Sequence, residues 1–288
     1  MAQDLENAKS RLANIQTVAP ILAALRTISL GSWQMALNRR GDLQRYSARL
    51  LALLPAVLPH LDLEGATRTE AQRVLVLVIG SERGLCGRYN ASVLEKASQH
   101  LTELEETGAR VEVVALGRRV IRALERHGYA LSVAQSLPVT ALPPFELAFE
   151  FAKGWLRRYE AYDLDTVDVV YNAYLGAGVY ASTVDCLIPP TIPTPSLETA
   201  EVWPTIVETD PSRLYARIVA QWSAISLYNL LLEAAASEHS ARFQLMESAT
   251  QNTDRLIEEL TLVIQSARRQ AITQEMQELA AGAGLIGN

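Results

Sequence analysis

The chain has 288 residues, enough for one large domain or two modest ones, and its 49% hydrophobic and 20% charged residues exclude an intrinsically disordered protein. A formal net charge of −6 argues against a nucleic-acid partner. No apolar run approaches the roughly 18 residues that a membrane span needs, so we expect no direct membrane insertion.

The first residues lack the basic and then apolar layout of a secretory signal, so we expect the protein to stay in the cytoplasm. The chain contains two cysteines and four histidines, and none of them form a CxxC or HxxxH pair. That content predicts neither a disulfide framework nor a zinc site, and we expect no metal and no cofactor.

Residues 1–62 form the first predicted segment, with a long helix from residue 3 to about residue 59. Its apolar residues recur at alternating spacings of three and four, which is typical of one helix of a coiled coil. Pro20 lies inside this helix and is expected to kink it or to weaken one turn. The apolar seam consists of Leu5, Ala8, Leu12, Ile15, Ala19 and Leu22.

Residues 73–205 alternate between β-branched runs and helical patterns, which predicts an inserted α/β domain, Rossmann-like, with a largely parallel sheet. The run at 73–80 is continuously apolar after Arg73, as in a strand that is buried on both faces. A proline-rich stretch, 188–204, is expected to be a boundary loop. The predicted strands are 73–80, 110–117, 130–137, 167–175 and 183–188, and the predicted helices are 91–106, 118–127 and 145–160.

Residues 210–288 form the third segment, and no proline or glycine occurs between Pro211 and residue 281. About 70 helical residues at ~1.5 Å each give a helix of about 105 Å, which needs a partner helix to bury its apolar seam. The N-terminal helix is the available partner, so we predict a long antiparallel coiled coil of the N- and C-terminal helices. The C-terminal seam is predicted to consist of Leu256, Leu260, Val263, Ala267 and Ala271.

The sequence SERGLCGRYN, residues 81–90, follows the first strand and precedes a helix, where phosphate-binding loops often lie. It matches neither GxGxxG nor GxxxxGK[ST], and it has no lysine to reach a phosphate. The pattern favours a tight structural turn, which we call the glycine turn, with Cys86 as a small buried hydrophobe. An α/β enzyme or nucleotide regulator that uses this turn stays open as an alternative.

One face of the C-terminal helix is rich in hydrogen-bond donors and lies beside the apolar seam. Two interpretations are equally open: it is a solvated helix face, or it binds acidic loops of a surrounding protein through strong arginine–carboxylate bonds. The last eight residues, AGAGLIGN, are small and apolar, which suggests contact with a hydrophobic collar; a frayed terminus stays open as the alternative. The donor-rich face consists of Arg268, Arg269, Thr273, Gln274 and Glu275, together with Gln270.

Two segments resemble a known family. The glycine turn resembles the SDRGLCGGFN turn of F-type ATP synthase gamma subunits, and residues 236–279 resemble the C-terminal helix of that family almost throughout. ALRTIS, residues 24–29, is a weaker match to the family's AMKMVA segment. The likeness covers nearly the full length and agrees with the layout of two helices and an inserted domain.

The resemblance implies a non-catalytic rotor subunit whose two terminal helices form a shaft inside a ring of three alpha and three beta subunits. The α/β domain would form a foot beside the epsilon subunit on the membrane c-ring. The implied contacts with catalytic-subunit loops involve Leu25, Arg26, Arg268, Arg269, Thr273, Gln274 and Glu275. The implied structural turn of the foot domain consists of Arg83, Gly84, Leu85, Cys86 and Gly87.

The chain also departs from the family pattern. Glu82, Arg88 and Tyr89 replace Asp, Gly and Phe in the turn, and lysines near the N-terminal helix are replaced, one of them by Pro20. These changes leave open a divergent, N-type second-copy ATPase that acts mainly as an ATP-driven ion pump. The resemblance further implies a peripheral position on the cytoplasmic side of a bacterial inner membrane. A coiled-coil scaffold unrelated to ATPases is a third alternative.

Overall fold

The computed structural model of the chain describes residues 2–61, 72–139, 141–191 and 208–282. The chain divides into two compact units. Met1–Ile28 and Phe243–Asn288 make up one, the helical unit, and Ser29–Arg242 make up the other, the α/β unit. Most of the predicted boundary loop, 188–204, lies outside the described residues. So do residues 283–288 of the apolar C-terminal segment AGAGLIGN, 281–288.

Two long helices, α1 and α6, and four shorter ones alternate with five strands. The helices are α1 (Ala2–Leu51), α2 (Leu54–Val57), α3 (Tyr89–Glu106), α4 (Arg118–Arg126), α5 (Phe145–Glu160) and α6 (Pro211–Gly282), with a 3₁₀ turn at Leu58–His60. The strands are β1 (Arg73–Ile79), β2 (Arg110–Leu116), β3 (Leu131–Gln135), β4 (Thr166–Gly176) and β5 (Val179–Ile188).

Two predicted boundaries were wrong. The N-terminal helix ends at Leu51 rather than near residue 59, because Pro55 cannot donate a backbone hydrogen bond and starts a separate short helix instead. The last strand begins at Val179 rather than at residue 183, because a glycine-containing turn extends its antiparallel pairing with β4, with Gly178 at φ +71°. Helix α1 itself runs continuously through Pro20.

The five strands form one sheet in the order β3-β2-β1-β4-β5, in which only the β4–β5 pair is antiparallel. The largely parallel sheet that the alternation predicted is therefore present. Strand β1 is central and almost completely buried, since Leu75 and Leu77 pack into a core on one face while Val76 and Val78 pack into a core on the other. This explains its continuous apolar sequence.

One face of this sheet is covered by α6 itself. Leu227, Leu231 and Ala234 of α6 belong to the same buried cluster as Leu75 of β1 and Trp155 of α5. Helices α3 and α4 supply the cluster on the opposite face. The N-terminal part of α6 is therefore a structural element of the α/β unit, and it brings polar side chains of α6 next to the end of β1.

Three polar contacts, taken in order along α1 and α6, show that these helices run antiparallel. In the α/β unit, Arg40 Nη2 lies 2.8 Å from Glu233 Oε2, and the Tyr46 hydroxyl donates to Gln221 Oε1 over 3.4 Å, so α6 numbers fall as α1 numbers rise. In the helical unit, Arg26 Nη1 donates to Glu247 Oε2 over 2.8 Å. The antiparallel pairing expected from the sequence is confirmed.

The N-terminal seam is also confirmed, but part of the C-terminal seam was wrong. Ala8 is buried, and the other five predicted positions of α1 are partly buried among exposed neighbours. In α6, Val263 is 54% exposed and Ala271 is exposed, whereas Ile264 is 7% exposed. The true seam passes through residue 264 because a shift of one residue turns a side chain by about 100° around the helix.

A network of arginines and carboxylates lies at the amino-terminal ends of β1 and β2. Asp165 accepts hydrogen bonds from the Arg73 guanidinium at 3.0 Å and from the backbone nitrogen of Arg73 at 2.9 Å, and these bonds lower the pKa of its carboxyl group. Arg158 donates to both Glu112 and Asp163 at 2.8 Å, and these bonds lower the pKa of both carboxyl groups.

We expect this network to make the fold acid-sensitive. Because the folded-state pKa of each of the three carboxyl groups is depressed, its contribution to stability is present above the unfolded-state pKa of about 4 and is lost as pH falls below it. Thermal melting followed by circular dichroism is therefore expected to show Tm falling by about 5 °C between pH 6 and pH 3. Asp165→Asn should lower Tm at pH 6 and reduce this pH dependence, whereas the exposed Asp254→Asn should not; equal profiles for both variants would contradict the assignment.

The glycine turn and the donor-rich helix face

The glycine turn is held closed by hydrogen bonds among its own residues. The Ser81 backbone nitrogen donates to Asn90 Oδ1 over 2.9 Å, and Asn90 Nδ2 donates to the Ser81 hydroxyl over 2.8 Å. Leu85 and Gly87 have positive φ angles of 62° and 60°, which reverse the chain between β1 and α3. The polar groups of Ser81 and Asn90 are therefore engaged within the turn itself.

Arg242 of α6 binds the outer side of this turn. Its guanidinium donates to the backbone oxygen of Arg83 at 3.2 Å and to that of Gly84 at 3.3 Å, and it also pairs with Glu238 one helical turn earlier. The turn thus presents carbonyl oxygens to an internal cation here. A phosphate site of the glycine-loop kind would instead present backbone N–H groups.

Burial shifts the pKa values of two titratable side chains around this contact. Burial raises the pKa of the Cys86 thiol, with only 2% of the residue exposed, which confirms that Cys86 is a small buried residue. Burial, assisted by the neighbouring Arg242, lowers the pKa of His239 to about 4, so this histidine is neutral at physiological pH. Neither group has the character of a reactive nucleophile or of a general base near neutrality.

Two of the three family departures in the turn, Tyr89 and Glu82, have structural roles that the sequence did not reveal. The Tyr89 hydroxyl, absent from a phenylalanine, donates to the backbone oxygen of Ala234 in α6 over 2.9 Å. The Glu82 carboxylate accepts the backbone N–H groups of Arg118 at 3.1 Å and of Leu137 at 3.0 Å. All three partners are distant in sequence, so no local pattern could have identified them.

Gly117, at the start of α4, sits where the chain from β2 passes the end of β1. Its φ is +97°, and a Cβ atom there would lie 2.4 Å from the backbone oxygen of Gly80. Only glycine fits both the dihedral angle and the close approach.

The substitution Gly117→Ala is accordingly expected to destabilise the chain by about 2 kcal/mol more than Gly128→Ala. Gly128 also has a positive φ, +86°, but a Cβ atom there meets nothing within 4 Å. Urea denaturation of the two variants separates the effect of the backbone clash from that of the dihedral angle alone. Equal losses for both variants would show that the approach to Gly80 is unimportant.

The donor-rich face of α6 is solvent-exposed at every position in the helical unit. Side chains of Arg268, Arg269 and Glu275 form no hydrogen bond or ion pair with any residue that the structure describes. Thr273 donates only to the Arg269 carbonyl of its own helix, and Gln274 only to Glu278. Ile272, Met276 and Leu279, spaced four and three apart, are more than half exposed beside this face.

The two predicted contact residues of α1 are placed differently. Arg26 is paired with Glu247 of α6, and about a third of each side chain is exposed, so its charge is already neutralised within the helical unit. Leu25 is partly buried. The structure therefore does not bring Leu25 and Arg26 together with the donor-rich face, which lies more than twenty residues further along α6.

No helix among the described residues is long and apolar enough to cross a membrane. Within the same part of the chain, no group of three or more His, Cys, Asp or Glu side chains could hold a metal ion. The architecture and the exposed face define a class of protein: two very long terminal helices paired antiparallel, an α/β domain inserted between them, and an unpartnered polar and apolar surface near one helix end.

Comparison with known proteins narrows this class. The family model described as ATP synthase matches residues 4–284. ATP synthase gamma chains of Rubrobacter xylanophilus and Pelotomaculum thermopropionicum are 30% and 29% identical to this chain, with coverage of 97% and 98% of this chain and 97% and 99% of the relatives. The chain belongs to the gamma chains of the ATP synthase family, the non-catalytic central-stalk rotor subunits.

Solved structures share the fold. The central stalk and c-ring structure of the Tetrahymena thermophila mitochondrial ATP synthase matches with a TM-score of 0.57 at 19% identity, covering 80% of this chain and 99% of that one. The rotor of the Euglena gracilis mitochondrial enzyme matches with a TM-score of 0.60 at 15% identity, covering 94% of this chain and 100% of that one. At these identities the likeness concerns the architecture alone.

Proposed function

We propose that this chain transmits torque between a membrane c-ring and a catalytic hexamer of three alpha and three beta subunits, with an epsilon subunit beside its α/β unit. It lies peripherally on the cytoplasmic face of a bacterial inner membrane. Ion flow through the ring drives ATP synthesis, and ATP hydrolysis drives the reverse rotation. Membership of the gamma-chain family and the match to bacterial relatives along the whole chain support this proposal.

The single observation that carries the proposed contact with the hexamer is the exposure of α6 from Arg268 to Leu279. This stretch combines arginines that have no partner in the described ranges with large exposed apolar side chains, a combination that a helix in plain solvent does not require. Arginine forms directional paired bonds with carboxylates, and the apolar side chains suit a hydrophobic sleeve. We assign Arg268, Arg269, Thr273, Gln274 and Glu275 to contacts with catalytic-subunit loops.

The physical basis of coupling is asymmetry. A helix pair with different side chains on each face, placed inside a near-threefold ring, touches each catalytic subunit differently and so favours a different state of each site. The helix pair must resist twisting more strongly than the catalytic sites of the hexamer resist opening. A 72-residue helix without an internal break, paired along a seam, meets this requirement.

Reconstitution tests the proposal against two of the alternatives, a nucleotide-binding enzyme and a coiled-coil scaffold. The purified full chain is mixed with alpha and beta subunits, and assembly and ATP hydrolysis are measured beside the chain alone. We expect a stable complex whose hydrolysis rate greatly exceeds that of the hexamer without this chain, and no hydrolysis by the isolated chain. ATPase activity of the isolated chain would support a nucleotide enzyme, and failure to assemble would support an unrelated scaffold; either result overturns the proposal.

A further inference from the structure

A cavity of about 320 Å³ lies within the α/β unit between α1, α5 and α6. Its size is at the lower end of the range for sites that hold small organic ligands, roughly 300–1,000 Å³. It is remote in sequence from both the glycine turn and the donor-rich face, and the torque-transmitting role does not use it. Its apolar lining comes from Leu43, Tyr46, Phe145, Phe149, Ile225 and Tyr228.

The walls of the cavity are largely aromatic and preorganised. The ring of Phe145 meets that of Tyr228 edge-on at a centroid distance of 5.4 Å and lies 6.2 Å from that of Phe149. Tyr228 is only 4% exposed, so its ring is fixed in the protein. Such walls suit a flat apolar group, because aromatic rings prefer offset or edge-on contacts with other rings.

Two polar groups at the cavity have no hydrogen-bond partner among the residues that the structure describes. The Arg39 guanidinium and the Tyr228 hydroxyl form no hydrogen bond with any residue in the described ranges. The other charged lining residue, Asp42, is already hydrogen-bonded by Arg45. Arg39, which is exposed to solvent, is therefore the charged lining residue without a hydrogen-bond partner in the described part of the chain.

Arg39 and Tyr228 also influence one another. Burial raises the pKa of the Tyr228 hydroxyl, and the carboxylate of Glu146 on α5 acts in the same direction, whereas the Arg39 guanidinium opposes both. Both residues line the same cavity. A cation and a neutral O–H donor in the lining of one apolar cavity match the two acceptor oxygens of a carboxylate.

We propose that this cavity binds a small amphipathic anion, whose flat apolar body lies against Phe145 and Phe149 and whose carboxylate is bound by Arg39 and Tyr228. The guanidinium supplies the charge-assisted hydrogen bond and the hydroxyl supplies a second donor. Because α1, α5 and α6 all line the cavity, the ligand links three helices of the α/β unit. This site is distinct from the surfaces assigned to the rotary role.

Isothermal titration of the full chain with 2-naphthoate and with its neutral analogue 2-naphthamide tests the proposal. We expect one 2-naphthoate per chain, and we expect 2-naphthamide to bind at least tenfold more weakly, since its head group lacks the negative charge and has an N–H donor in place of one acceptor oxygen. Equal affinity for both compounds, or no binding of 2-naphthoate, would overturn the proposal.

Two substitutions locate the binding. Arg39→Gln is expected to weaken 2-naphthoate binding about tenfold while leaving 2-naphthamide unaffected, and Tyr228→Phe is expected to weaken 2-naphthoate by a smaller factor. Arg49→Gln is the matched control, because it removes the same charge from an exposed position of the same helix outside the cavity. Melting curves verify that each variant is folded. If Arg49→Gln weakens 2-naphthoate binding as much as Arg39→Gln does, the loss of affinity reflects the net charge of the chain, and the assignment of the ligand to this cavity is wrong.

Discussion

Replacing Arg242 by methionine is expected to lower the free energy of unfolding by about 3–5 kcal/mol, because it removes the cation that pairs with the mostly buried carboxylate of Glu238. Arg242 is 8% exposed and donates to Glu238 as well as to two carbonyl oxygens of the glycine turn. Methionine fills much of the same space without the charge. The loss is to be measured as a shift in the urea midpoint at pH 7.

The pH dependence of unfolding tests whether the unpaired carboxylate of Glu238 causes the loss of stability in Arg242→Met. Burial already raises the pKa of Glu238, and Arg242 opposes that shift. Without Arg242 the folded-state pKa rises further, so the variant regains stability as pH falls towards the unfolded-state value of about 4.3. The difference in stability between wild type and Arg242→Met is therefore expected to be largest near pH 7 and to narrow towards pH 4.5.

Arg255→Met is the matched control for Arg242→Met. Arg255 also faces a carboxylate four residues away, Glu259, but 68% and 59% of the two side chains are exposed. Exposed pairs of this kind contribute about 0.5 kcal/mol or less, so the control should unfold almost like the wild type. If both variants lost equally little stability, the contacts of Arg242 with Glu238 and the glycine turn would not stabilise the fold as proposed.

Arg268→Ala is expected to lower ATP turnover of the reconstituted complex about tenfold, without changing the Tm of the isolated chain. Arg268 is exposed and makes no bond within the described chain, so its removal costs the fold almost nothing. A hydrogen bond to a charged partner contributes about 1.5–3 kcal/mol, and each 1.36 kcal/mol lost from a rate-limiting step is a factor of ten. Steady-state hydrolysis and subunit co-purification are the measurements.

Arg255→Ala is the control for this second prediction, since it removes an exposed arginine from the same helix thirteen residues earlier. It should leave turnover within about twofold of the wild type. Arg269→Ala and Gln274→Ala then report how far the effect extends along the donor-rich face. Unchanged turnover for Arg268→Ala in a fully assembled complex would remove this residue from the proposed contact surface.

The sequence by itself determined the secondary structure and its order. The unbroken run after Pro211 predicts α6, and its start is confirmed by Asp210, whose carboxylate accepts the Ser212 backbone N–H at 3.1 Å. The apolar run of β1 likewise predicts a strand buried on both faces. These features depend on local periodicity and on the absence of helix breakers, which are properties that the sequence displays directly.

Only the tertiary structure decided which residues meet across long separations. It placed the N-terminal part of α6 on the sheet, joined Arg242 to a turn almost 160 residues earlier, and moved the seam from Val263 to Ile264. It also gathered Arg39, Phe149 and Tyr228 around one cavity. Helical periodicity fixes which residues share a face of a helix. Which other element that face contacts depends on side-chain packing and on hydrogen bonds between polar groups that become neighbours only in the folded chain.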